Sequence, residues 1–191
     1  GLWMQQALES IKSGLWQLRS YDKHELERPV EGAVREKRKY QLEGNVAIIP
    51  IHGPMMKAES KFGGVGTQAL RKMIREAKTD YEVRTILLHI DSPGGHVAGT
   101  QELADEIYSV RQSGKHIVAH IEDLGASAAY WAASQALRIT ANMTAEIGSI
   151  GTVAVLTDNS ARMERLGVKV HIISTGPYKG TGTEGASISG E

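Results

Sequence analysis

Three runs of apolar residues, separated by helix-like stretches, constrain the fold of this chain more than any other feature. They occupy residues 46–51, 85–90 and 117–121, and each is apolar at nearly every position. A strand that is apolar on both faces is typical of a buried parallel sheet, whereas a half-exposed strand alternates between apolar and polar residues. Apolar residues at helical spacing lie between the runs. The sequence therefore predicts an α/β fold with a largely parallel sheet, covered on both faces.

Further elements continue this alternation. Apolar runs at 153–156 and 168–173 predict two more strands. Four helices are predicted, one beginning with Thr67 as its N-cap and the others over 99–112, 127–136 and 159–166. Gly167 is a natural end for the last helix, because helices often stop at a glycine with a left-handed backbone.

The two ends of the chain differ in composition from this core. Residues 1–20 predict an amphipathic helix, whose apolar stripe consists of Met4, Leu8, Ile11, Leu15 and Leu18. Residues 21–44 are mostly charged and contain Pro29 and Gly32, which predicts a solvated arm. We therefore divide the chain into an N-terminal helix and arm (1–44), a core domain (45–175) and a tail rich in glycine, serine and threonine (176–191).

Charge and composition argue against several classes of function. The 22 basic and 22 acidic residues cancel, so no attraction to nucleic acid or to an anionic membrane is expected. The absence of cysteine excludes thiolate zinc sites, iron–sulfur clusters, disulfides and a cysteine nucleophile. No apolar run reaches the roughly 18 residues that predict a transmembrane helix, and the N-terminus lacks a secretory signal pattern. We expect neither a metal nor a cofactor.

Three loops that follow predicted strands carry residues able to do chemistry. Residues 91–95 include two glycines whose N–H groups could approach a ligand closely, although an ordinary tight turn has the same composition. Ser127 lies at a strand-to-helix junction among small residues. It could be a nucleophile or a simple N-cap of the helix. Lys179 lies in a glycine-containing loop, where a solvated lysine is the ordinary case. Since ligands gather at the carboxyl ends of parallel strands, we expect one shared site.

A serine nucleophile needs a general base, and the residues alone leave two kinds open. His89, His120 and His171 lie within predicted strands, which favours roles in the core or at a sheet edge. His52 and His96 lie in predicted loops and remain candidates. A neutral lysine is the alternative base.

Four short segments, in this order, resemble the signal peptide peptidase A group of serine proteases. They are residues 90–95 (IDSPGG), 125–131 (GASAAYW), 147–151 (IGSIG) and 178–180 (YKG). Within that group the chain looks most like the short phage-type members that process capsid-assembly proteins. The resemblance extends from about residue 45 to residue 179.

This resemblance implies a role for each matching residue. Ser127 would be the nucleophile, Lys179 the general base and Ser149 the group that orients the lysine amine. The oxyanion hole would be formed by the N–H of Gly94 or Gly95 together with that of Ala128. It also implies a crotonase-like fold of β-β-α units, related to Clp-type proteases, and assembly into homo-oligomeric rings.

The function that follows is a Ser/Lys endopeptidase that cleaves extended polypeptide segments. The expected substrates are peptides or proteins, among them capsid or scaffold proteins if the chain is phage-encoded, and the expected location is the cytoplasm or the prohead. One alternative is a catalytically silent, crotonase-like assembly subunit, and another is an enzyme that acts on acyl thioesters. The presence of both Ser127 and Lys179 argues against these alternatives.

Overall fold

The computed structural model describes residues 38–59 and 63–188, together with Gln5, which is helical. The chain divides into two compact units, Gly1–Gly151 and Thr152–Glu191. Apart from Gln5, the predicted N-terminal helix lies outside the described residues, and so does most of the charged arm. Among the described helices, none has the length and the hydropathy of a membrane-spanning segment.

The first unit is built on a six-stranded sheet. In chain order its strands, with those of a small second sheet, are β1 (Gln41–Glu43), β2 (Val46–His52), β3 (Met55–Met56), β4 (Val65–Gly66), β5 (Thr85–Ser92), β6 (His116–Ala126), β7 (Arg138–Ala141) and β8 (Glu146–Gly148). The main sheet has the order β1-β2-β5-β6-β7, and β8 also pairs with β6. The β1–β2 pair is antiparallel and the other pairs are parallel, so the predicted α/β class with a largely parallel sheet is confirmed.

Three helices of the first unit pack against one face of this sheet. They are α1 (Thr67–Thr79), α2 (Thr100–Arg111) and α3 (Ala128–Ser134). The apolar residues of α1 and α2 recur every three or four positions and are fully buried; they include Leu70, Ile74, Leu103 and Ile107. They meet alternate residues of the strands in one core, where each large aliphatic side chain contributes about 1.5–3 kcal/mol through burial.

The other residues of the same strands point to the opposite face. Val46, Ile48 and Leu87 form a smaller apolar cluster there. Towards the carboxyl ends of the strands this face becomes polar, with His89 and His120 in register on β5 and β6. Both histidines are buried. The face opposite the helices is therefore polar near the carboxyl ends of the strands, whereas the face towards the helices is apolar.

The second unit contains a short helix, α4 (Ser160–Arg165), and a series of turns. Asp158 contacts the first residue of this helix, Ser160, whose N–H and hydroxyl both donate hydrogen bonds to Asp158 Oδ1. Gly167 follows the helix with φ 76°, as predicted for its end.

Some predicted elements differ in the structure. Residues 153–156 and 168–173 are apolar but form no strand within the described 152–188, because an apolar run becomes a strand only when another strand pairs with it. His171 is therefore exposed and outside any strand. Thr67 is the first residue of α1, and its N-cap is Gly66. Residues Gln41–Glu43, assigned to the arm, form the edge strand β1 because Leu42 packs against the core.

Candidate active site

The loops after β5 and β6 meet at the carboxyl end of the sheet. Gly94, with φ +84°, lies so close to the second loop that a Cβ atom at this position would stand 2.8 Å from the Cβ of Ser127. The same Cβ atom would be 2.6 Å from the oxygen of Ala126 and 2.7 Å from the nitrogen of Ala128. Glycine is therefore required at position 94 for both its backbone conformation and its contacts.

Gly95 extends this contact to a third strand. It forms a parallel bridge with Met55, in which the Met55 N–H donates to Gly94 O at 2.7 Å and the His96 N–H donates to Met55 O at 2.9 Å. These two hydrogen bonds involve the oxygen of Gly94 and the N–H of His96, so the N–H of Gly95 itself takes no part in the bridge. Among residues 38–59 and 63–188, neither this N–H nor that of Ala128, the first residue of α3, donates a hydrogen bond.

Ser92 supports the loop that contains Gly94 and Gly95, called the glycine loop below. The sequence analysis assigned no role to this serine. Its side chain is fully buried. Its Oγ donates to the oxygen of Gly53 at 2.6 Å and accepts the N–H of Gly94 at 3.1 Å. The N–H of Gly94 is thus already engaged. A serine before Pro-Gly-Gly gives no signal in the sequence that separates this structural role from an ordinary turn.

Ser127 has an uncommon backbone conformation. Its φ is 52° and its ψ is −122°, which costs a non-glycine residue about 1–3 kcal/mol. Two hydrogen bonds hold this conformation, since its N–H donates to Gly148 O at 2.8 Å and its oxygen accepts the Trp131 N–H at 2.9 Å. Ser127 is the N-cap residue of α3, but its side chain makes no capping hydrogen bond. Its hydroxyl is therefore left for another use.

The turn after β8 lies beside Ser127. Gly148, which accepts the Ser127 N–H, pairs with Ala126 in the β6–β8 register. The next residue is Ser149, which is exposed and has φ 51°. Ser127 and Ser149 are the two non-glycine residues with positive φ among those described. The structure thus brings together the turns that carry the two serines predicted for the site.

Lys179 belongs to the second unit, and its side chain is exposed. Its N–H donates to Gly176 O at 3.2 Å, and Thr181 N–H donates to Tyr178 O at 3.2 Å, so it lies in consecutive turns. Gly180 follows with φ +101°, and a Cβ atom at this position would lie 2.9 Å from Cγ2 of Ile172. The other five predicted site residues lie in the first unit: Gly94, Gly95, Ser127, Ala128 and Ser149.

The histidines of the sheet hydrogen-bond to their neighbours across the strands. His89 Nδ1 lies 3.0 Å from His52 Nε2, and its Nε2 lies 2.8 Å from Glu122 Oε2. Burial and the nearby His52 lower the pKa of His89, although Glu122 opposes this shift. His120 Nδ1 lies 3.0 Å from Thr140 Oγ1, and burial lowers the pKa of His120.

Comparison with known proteins gives consistent results. Residues 109–191 match the model of Peptidase family S49. Capsid assembly protease C of Escherichia phage lambda is 34% identical over 149 residues, which cover 76% of this chain and 34% of the phage protein. Protease 4 of Salmonella typhi is 32% identical over 134 residues, which cover 70% of this chain and 22% of that protein. The chain thus spans about a third or less of the length of these relatives.

Among solved structures, an enoyl-CoA hydratase/isomerase family member is similar with a TM-score of 0.48 and 14% identity, over 57% of this chain and 48% of that one. The family model and the curated relatives confirm the resemblance that the four sequence segments predict. The chain belongs to peptidase family S49.

Proposed function

We propose that this chain is a serine endopeptidase with Ser127 as nucleophile and Lys179 as general base. The observation that carries the proposal is the turn at Ser127, a strained serine between a parallel strand and a helix, whose hydroxyl does not cap that helix. Strain of this kind is found at functional sites, where the surrounding structure maintains it.

In the proposed reaction, Ser127 Oγ attacks the carbonyl carbon of the scissile peptide bond while its proton moves to the amine of Lys179. The lysine then gives this proton to the leaving amine as the C–N bond breaks, which leaves an ester on Ser127. Water, deprotonated by the same lysine, hydrolyses the ester and restores the serine. Ser149 would hydrogen-bond the lysine amine and orient it.

The N–H groups of Gly95 and Ala128 are the proposed donors to the oxyanion. The close contact of Gly94 with Ser127 and Ala128 supports this assignment, because it holds both donors beside the nucleophile. Gly94 itself would act by position, since its N–H is bound by Ser92. Loss of one oxyanion donor typically lowers kcat by about 10²–10³-fold.

A lysine that acts as a base must be neutral, and a lysine in water is charged. The side chain of Lys179 is exposed, so the proposal requires that substrate or a second copy of the chain covers it during catalysis. We propose a homo-oligomer, in agreement with the ring expected from the family resemblance. Mixing Ser127→Ala with Lys179→Ala tests this idea. If dyads form between chains, activity returns in the mixed oligomer; no return despite subunit exchange means that each chain builds its own dyad.

The proposed substrates are extended polypeptides, because the loop at Gly95 already bridges to a strand through its backbone and presents peptide groups at that edge. The name of the phage lambda relative, capsid assembly protease C, supports proteins of capsid assembly as the proposed natural substrates. Scaffold proteins as substrates, and the prohead or the cytoplasm as the location, are proposed from the family resemblance alone.

A fluorophosphonate probe, which reacts with activated serines, tests the nucleophile directly. We expect mass spectrometry of the labelled full chain to find the probe on Ser127, and Ser127→Ala to lose both labelling and hydrolysis of an unfolded protein substrate. Ser134→Ala is the matched control, since this exposed serine of α3 bonds to Trp131 O and has no proposed role. Labelling that persists in Ser127→Ala would contradict the proposal, and no labelling of the wild type would favour a silent assembly subunit.

A further inference from the structure

Three side chains from adjacent strands form a linear cluster on the sheet face opposite the helices. His52 is the last residue of β2, His89 lies on β5 and Glu122 lies on β6. The cluster spans His52 Nε2 to His89 Nδ1 at 3.0 Å and His89 Nε2 to Glu122 Oε2 at 2.8 Å. His89 is buried, Glu122 is half-buried and His52 is exposed, so the cluster is open to solvent at one end.

The hydrogen bonds determine which nitrogen atoms carry protons. A carboxylate only accepts hydrogen bonds, so Nε2 of His89 must carry the proton shared with Glu122. A neutral His89 then has a lone pair on Nδ1, and His52 donates its Nε2 proton to it. The two imidazoles therefore aim the atoms Nε2 and Nδ1 at each other, and the carboxylate fixes the ring of His89.

We propose that this cluster is a binding site for a divalent transition metal of the zinc type. The ligands would be His52 Nε2 and His89 Nδ1, with water completing the coordination. Two nitrogen atoms bound at about 2.0–2.1 Å in a tetrahedral arrangement lie about 3.3–3.4 Å apart, so the observed 3.0 Å needs only a small opening. The Nε2 proton of His52 would move to Nδ1 of the same ring, which is possible because this ring is exposed.

Glu122 would act on the metal through His89. A ligating histidine usually donates its second ring N–H to a carboxylate, which sets the tautomer and raises the basicity of the ligand atom. That arrangement is already present at 2.8 Å. Imidazole ligands suit zinc, copper and nickel, whereas magnesium and calcium prefer oxygen. The donor set therefore favours zinc-type ions.

The metal would fasten β2 to β5 close to the loops of the candidate active site. Gly53, the residue after His52, accepts the Ser92 hydroxyl and donates its own N–H to Asp91 O. A metal at His52 and His89 would therefore stabilise the strand ends that support the Gly94–Gly95 loop. The site does not depend on the proposed peptidase activity, because its ligands are not those of the proposed reaction.

Isothermal titration of the full, metal-free chain with Zn²⁺ tests the proposal. We expect one ion per chain, binding weakened by at least about tenfold in His52→Ala, and binding weakened by about 10–100-fold in Glu122→Gln. His52 is exposed and Glu122→Gln preserves shape, so both variants should fold. His116→Ala is the matched control and should bind as the wild type does, since His116 lies at the opposite end of β6.

Thermal unfolding gives a second measurement. A ligand that binds the folded state raises the Tm by mass action, so Zn²⁺ should raise the Tm of the wild type and of His116→Ala but not that of His52→Ala. The proposal is overturned if Zn²⁺ does not bind the wild type, if His52→Ala binds with unchanged affinity, or if His116→Ala and His52→Ala lose binding equally.

Discussion

The two units of this chain determine the positions of their proposed catalytic residues to very different degrees. Ser127, in the first unit, is held by hydrogen bonds to Gly148 and Trp131 and by the close approach of Gly94. Lys179, in the second unit, lies in local turns with its side chain in solvent. The first arrangement depends on Gly94 and Gly148, which are far from Ser127 in sequence, whereas the second follows from contacts between residues near in sequence.

The geometry of each residue has a different physical origin. The strained conformation of Ser127 needs neighbours that resist relaxation, and the parallel strands supply them. The second unit leaves apolar residues such as Val153 and Ile173 almost fully exposed, at 84% and 99% of their surface. Its turns do not supply the low-water environment that a neutral lysine requires. We therefore expect the serine to be sensitive to local packing and the lysine to depend on what covers it.

Substitution of either proposed dyad residue should reduce activity more than any other change. Ser127→Ala and Lys179→Ala should each lower kcat by about 10⁴-fold or more, and the double variant should lose no more than either, because the two residues act as one unit. Lys179→Arg should be equally inactive, since a guanidinium stays charged. Steady-state hydrolysis of a peptide substrate measures these losses. His171→Ala, an exposed residue of the second unit, is the control. Substantial activity in Lys179→Ala would remove lysine from the mechanism.

The second prediction compares two glycines, one from each unit. Gly94→Ala should lower kcat by about 10²-fold, because its Cβ would displace the Ser127 turn. It should also destabilise the fold by about 1–3 kcal/mol through overpacking. Gly176→Ala should change neither quantity appreciably, since a Cβ there meets no atom within 4 Å. Urea denaturation and kinetics measure both. Equal effects of the two substitutions would mean that the first unit is no more tightly packed at its site than the second.

The sequence predicts the centre of this fold better than its edges. β2, β5 and β6 are buried on both faces, so their apolar runs are sufficient to identify them. β7 and β8 contain polar residues and exist because β6 pairs with them, which no local pattern reveals. The same dependence on pairing explains why the prediction of strands at 153–156 and 168–173 was wrong, since the structure has no strand there.

The site shows the same division. The small residues around Ser127 lie within one short segment, so the sequence alone predicts the strand-to-helix turn that the structure has there. The cluster of His52, His89 and Glu122 depends on strand register between residues 37 and 33 positions apart. The role of Ser92 likewise depends on Gly53, which is 39 positions away. Contacts of this kind become visible only when the strands are paired.

The third prediction concerns Ser92, which connects two strand ends beneath the glycine loop. Ser92→Ala would leave the half-buried carbonyl of Gly53 and the buried N–H of Gly94 without their partner, so we expect a loss of about 1–3 kcal/mol of stability. The loop should then hold the Gly95 donor less well, and kcat should fall by about tenfold, less than for complete loss of a donor. KM should change little. Ser134→Ala is the control, and a Ser92→Ala variant with unchanged kcat would show that the loop keeps its position without this hydroxyl.

The free energy of unfolding should depend on pH through a carboxylate of the first unit more than through one of the second, and this difference should be modest. Although burial alone would raise the pKa of Asp80, hydrogen bonds from Arg38, the Glu82 backbone and Tyr40 lower it below its usual value. Because the folded-state pKa lies below the unfolded value of about 3.9, the stabilisation is complete above that pH and is lost as the pH falls through the folded-state pKa. Asp80→Asn should lower the free energy of unfolding by about 1 kcal/mol at neutral pH and reduce its acid dependence.

Asp158 of the second unit provides the matched comparison. Its pKa is also lowered, by hydrogen bonds from the side chain and backbone of Ser160 and from the backbone of Ile188, but this carboxylate is fully exposed. Water screens such a group and competes for its hydrogen bonds, so its ionisation contributes less to folding than that of Asp80. We therefore expect Asp158→Asn to leave urea denaturation curves between pH 3 and pH 7 close to those of the wild type. If Asp158→Asn shifted these curves as much as Asp80→Asn does, the turns of the second unit would be held as firmly as the sheet, and the contrast between the two units would fail.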